Sequence, residues 1–105
     1  MAKKGSRDNL YVLRDLAENV PVSGEAVTVS AAGVVALTIP DEAQSCIITN
    51  PVAVRIAFGT ATPSATVGTQ FAANTGVVLT CREQLEQAKV YWTEACTGAY
   101  VQYFA

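Results

Sequence analysis

Val52–Phe58, VAVRIAF, alternates with period two and follows Asn50-Pro51, a pair that breaks regular structure and starts turns. That combination fixes a strand whose Val52, Val54, Ile56 and Phe58 share one face, with Ala53, Arg55 and Ala57 on the other. The same grammar recurs along the chain. Ala26–Ser30 alternates, Ala31-Ala32-Gly33 makes a turn, and Val34–Ile39 forms a second strand that Pro40 ends. Gln44–Thr49 precedes Asn50-Pro51; Gly76–Thr80, Ala88–Trp92 and Ala99–Phe104 complete the set, with Thr97-Gly98 as the last turn. Arg82–Gln87, REQLEQ, is either one helical turn or a polar crossover.

About seven short strands at this spacing in 105 residues predict an all-β chain. The expected architecture is a single β-sandwich, jelly-roll-like, over residues 25–105. Residues 1–24 form an N-terminal arm, extended or a short helix. Leu10, Leu13 and Leu16 fall at helical spacing, while Leu10 to Arg14 also permits an extended strand. In either conformation the apolar side chains of Leu10, Tyr11, Leu13 and Leu16 need a surface to cover them, on this domain or a neighbour.

Chemistry is hard to place on these residues. The chain has no histidine, which removes the most common general base and the serine and cysteine triads built on it. No SxxK motif is present, and no GK[ST] follows the glycines of the loop 59–74. Asp41/Glu42 and Glu83/Glu86 sit in polar connections, where solvated charge is the default. The three cysteines, Cys46, Cys81 and Cys96, are widely spaced and form no metal motif; they fit a reducing compartment. The expectation is therefore no catalytic residue, no metal and no cofactor.

Seven basic against nine acidic residues argue against a nucleic-acid partner, whose affinity rests on neutralised phosphates. No run approaches the roughly 18 apolar residues of a membrane span. MAKKGSRDN lacks a signal peptide's apolar stretch, so the expected site of synthesis is the cytoplasm. The loop 59–74, GTATPSATVGTQFAAN, carries no charge at all and is long for a compact domain, which favours a contact role. Arg55, in a strand centre, either caps a solvated or subunit-facing side or pairs with Asp41 or Glu42. The C-terminal aromatics, Tyr91, Trp92, Tyr100, Tyr103 and Phe104, serve the core, a subunit contact or a sugar-stacking platform.

Leu37-Thr38-Ile39-Pro40, Val54-Arg55 before Phe58-Gly59-Thr60, Pro63 with Ala65-Thr66-Val67-Gly68, and the closing Tyr103-Phe104 carry a resemblance. Over about residues 26–105 the chain resembles small β-rich virion proteins of tailed bacteriophages. The resemblance implies a structural virion protein, first of all a head decoration or cement protein. Such proteins sit outside a capsid, often as trimers, and bridge subunits of the major capsid protein or contact other virion proteins. On that reading the partner-contact residues are Leu10, Tyr11, Leu13, Leu16, Arg55, Thr60, Pro63 and Phe71. A neck, tail or baseplate role and a carbohydrate-binding module are the alternatives.

Overall fold

The two longest strands are the first and last described segments of the chain, and they pair with each other. The computed structural model describes residues 20–105. In chain order its elements are β1 (Pro21–Val29), β2 (Gly33–Val34), β3 (Ser45–Thr49), β4 (Val54–Ala57), β5 (Thr69–Phe71), β6 (Val77–Leu79), helix α1 (Arg82–Gln87), β7 (Lys89–Trp92) and β8 (Cys96–Phe104). Two four-stranded sheets form, ordered β1-β8-β3-β6 and β2-β7-β4-β5, with every pairing antiparallel. The pairs β1·β8, β2·β7, β3·β6 and β4·β5 are nested, and alternate pairs fall in opposite sheets. That is the strand order of an eight-stranded jelly roll.

Alternation puts one face of each strand inside. From the first sheet come Val27, Val29, Cys46, Ile48, Val77, Leu79, Ala99, Val101 and Tyr103, and from the second Val54, Ile56, Val90 and Trp92, all buried in one core. Trp92 and Tyr103 are its largest wholly buried side chains. Leu85, on the six-residue α1, is fully enclosed in the same cluster. Such a helix is too short to stand alone, so this burial holds it. Its Gln84 Oε1 accepts the Thr80 N–H at 2.7 Å, and Arg82 pairs with Glu86 one turn on at 2.9 Å.

Several expectations are corrected. Val34–Ile39 is not a strand: only Gly33–Val34 pairs, and with β7 rather than β1. Ala31-Ala32-Gly33 therefore carries the chain between sheets instead of closing a hairpin. Leu37 and Ile39 pack on the core from an irregular segment, where the Thr38 N–H reaches Glu25 Oε2 at 2.9 Å. β1 begins at Pro21, so residues 21–24 belong to the sheet and not to the arm. Phe58 lies beyond β4 and is 45% exposed, while Ala57, on the Arg55 face, is buried outside the core cluster.

Thr97-Gly98 is not the final turn either; it lies within β8. Between the pairs Val27↔Ala99 and Val29↔Cys96, three steps on β8 oppose two on β1. Gly98 takes φ +84° at this bulge, a conformation that other residues avoid.

Candidate functional site

The long uncharged connection between β4 and β5 is held down by two cations on the outer face of the second sheet. Arg55 projects outward from β4 and donates to Gly68 O at 2.9 Å and to Gln70 Oε1 at 3.0 Å. Lys89 projects from the same face of β7, and its Nζ donates to the carbonyls of Gly59 and Ala61. Inside the loop the Ser64 N–H bonds Val67 O at 3.0 Å and the Thr66 N–H bonds Ser64 Oγ at 3.3 Å. Pro63 is buried. Thr60, Ala61, Thr62, Ala65, Thr66 and Val67 face solvent on a segment fastened at both ends.

Beyond β5 the chain is fastened by Asn50, the one buried polar residue among those described. Its Nδ2 donates to Val52 O at 3.2 Å and Ala72 O at 2.9 Å, and its Oδ1 accepts the Gly76 N–H at 3.0 Å. The Asn50 carbonyl also takes the Asn74 N–H at 2.7 Å. One side chain thus ties the β3–β4 turn to the β5–β6 connection.

Of the contact residues expected from sequence, Leu10, Tyr11, Leu13 and Leu16 lie outside the described residues. Arg55 and Thr60 belong to the clamped loop, with Thr60 exposed. Pro63 is buried and offers no surface, and Phe71 pairs with Val54 and packs half-buried on the core. Arg55 forms no ion pair with Asp41 or Glu42. Their connection is held instead by Arg82, whose guanidinium donates to the carbonyls of Pro40 at 2.7 Å, Asp41 at 3.2 Å and Ala43 at 2.8 Å. Arg82, Lys89 and Asn50 were missed because each works across about 20 to 40 residues of sequence, which no local pattern records.

Trp92 is wholly buried with its indole N–H unpartnered, so it cannot stack on a ligand. An open groove of about 480 Å³ is lined by Phe58, Cys81, Glu83, Gln84 and Gln87. Phe58 is its single aromatic, and Gln84 is already committed to Thr80. Burial pushes the Cys46 thiol up to about 11, against any nucleophilic role at neutral pH. Burial, then its hydrogen bond to Glu25, raises Tyr103 as well. Among the described residues no three His, Cys, Asp or Glu side chains are placed to share a metal ion, and no helix is long and apolar enough to cross a membrane.

Comparison with known proteins returns no match, whether to a family model, a curated protein or a solved structure.

Proposed function

We propose that this protein is a non-enzymatic structural component of a virion, a decoration protein that attaches to the outside of a phage head and bridges capsid subunits. The observation that carries the reading is the clamped loop. Twelve consecutive residues, Gly59–Gln70, carry no charge, yet Arg55 and Lys89 fasten them with four hydrogen bonds. A surface fixed before binding loses little conformational freedom on contact, and an uncharged one loses little hydration. Those are the properties of a protein-docking loop.

The jelly roll supports the reading as an analogy, since capsid proteins use it, but lectins use it too and fold alone assigns no function. The mechanism is mass action: a protein that binds only the assembled shell stabilises that state. Repetition over a symmetric surface multiplies modest contacts. A neck or tail position is the variant of the same reading, and a ring of fivefold or higher symmetry would mark it.

The test is co-sedimentation with heads assembled from the major capsid protein. Val67→Asp places a charge on an exposed loop position and is expected to weaken attachment at least about tenfold, with an unchanged thermal transition. Full attachment by that variant would refute the loop as the docking surface.

A second reading rests on Tyr100, 41% exposed on the outer face of the first sheet. Its ring covers Gly24, where a Cβ would meet the phenol oxygen at 1.8 Å, and lies along the sheet. A ring in that position suits stacking on a sugar. Glycan binding that is abolished by Tyr100→Ala would establish it.

A further inference from the structure

Among the described residues the outer face of the first sheet is uncovered and uncharged. Register places Gly24, Gln102, Ile47 and Val78 in one row across all four strands, Ala26, Tyr100 and Thr49 in the next, and Phe104 beside Ser45 in a third. Val78 and Tyr100 are exposed, and Ile47 and Phe104 half-exposed. The one charged residue on any strand of this sheet, Glu25, turns inward to the Tyr103 hydroxyl. The other charges of the described chain lie on the second sheet, on α1 or in the connections. The clamped loop covers part of the other sheet; no other described segment covers this one.

Residues 1–19 join the described chain at a corner of this face. The only uncharged stretch of any length there, Asn9–Leu13, holds Leu10, Tyr11, Val12 and Leu13, with Leu16 three residues further along the sequence. Extended, Leu10 to Leu16 spans about 20 Å. The sheet is about 14 Å from its first strand to its fourth. The segment therefore has the length to cross all four strands and the composition to match them.

The exit geometry decides whose face it crosses. Val20 O accepts the Ala105 N–H at 2.7 Å, which continues the β1·β8 pairing one residue past Pro21. Pro21 holds its φ, and a residue before proline is confined to extended backbone. Val20 thus points along the β1 axis, off the end of the sheet. We infer that the outer face of the first sheet is the seat for residues 10–16 of a second copy of this chain. Each copy gives one arm and receives one, which closes a small homo-oligomer by exchange. This association requires no virion, so it stands or falls apart from the attachment proposed above.

The experiment uses the full chain and measures mass by sedimentation velocity across a concentration series. Wild type sediments as an oligomer. Val78→Lys, which charges the face, and Leu13→Asp, which charges the arm, each give a dissociation constant raised at least about tenfold, with the circular dichroism of the folded β domain retained. Tyr100→Lys repeats the face test at a second exposed position. Mixing Val78→Lys with Leu13→Asp restores one intact arm and one intact face, and a heterodimer forms. A monomeric wild type, unaltered association of both face variants, or no complex in the mixture overturns the inference. An arm folded onto its own face would appear as the first of these.

Discussion

Asn50→Ala is the perturbation with the largest predicted effect. It deletes three hydrogen bonds that a wholly buried side chain makes to part-buried backbone groups: Nδ2 to Val52 O, Nδ2 to Ala72 O, and Gly76 N–H to Oδ1. Ala72 O keeps a partner, the Thr75 hydroxyl at 2.8 Å. Val52 O and the Gly76 N–H keep none from the hydrogen bonds described. Each group left without a partner costs about 1–3 kcal/mol, and the vacated volume adds to that, for a loss of about 3–5 kcal/mol. A domain of this size has about 5–15 kcal/mol in total and loses about 4–8 °C of Tm per kcal/mol. The expected fall is therefore about 12–40 °C by calorimetry, with a matching fall in the urea midpoint.

Asn50→Asp sharpens the test. It keeps the acceptor for Gly76 but turns an oxygen towards the two carbonyls, so a carboxylate there is repelled as well as buried. Its folded-state pKa must rise above the usual value near 4. Between that value and the raised one the folded state holds the extra proton, so the variant gains stability as pH falls through the folded pKa. Wild type has no carboxylate at this position and lacks that gain. An Asn50→Ala protein within about 1 kcal/mol of wild type, or an Asp variant whose stability is flat with pH, would refute the bracket.

Other outcomes follow from the same geometry. Arg82→Met removes the donor shared by the carbonyls of Pro40, Asp41 and Ala43 and is expected to cost about 2–3 kcal/mol in urea unfolding. Glu86→Gln, which loses only an exposed ion pair, should cost under about 0.5 kcal/mol. Burial raises Cys46 to about 11 and also raises Tyr103, so the stability tied to both is complete below pH 9 and falls as pH climbs through 11. Cys46→Val should flatten the part of that fall between pH 9 and 11 in a series of melts. Gly98→Ala forces a Cβ into φ +84° and should cost about 1–2 kcal/mol, with Gly98→Asn costing less.

The sequence by itself determined the all-β class and most strand positions. Period-two alternation encodes which side chains face inward, and Pro and Gly mark where pairing must stop. Val54, Ile56, Ile48, Val90 and Val101 are buried where that alternation places them. Its failures came where local signals have two meanings. Thr97-Gly98 fits a turn as well as the bulge it forms, because both need a positive φ. Val34–Ile39 has the composition of a strand, but only Val34 joins a ladder; Val35, Leu37 and Ile39 reach the core from an irregular segment.

Only the tertiary structure decided which strands pair, which face the described residues leave uncovered and which polar groups fasten the loops. Nesting β1 with β8 and β2 with β7 joins residues at opposite ends of the chain. Arg55 and Lys89 become clamps, and Asn50 a bracket, only once backbone carbonyls from distant segments converge on them. A carbonyl carries no residue identity, so bonds to it leave no trace in the sequence.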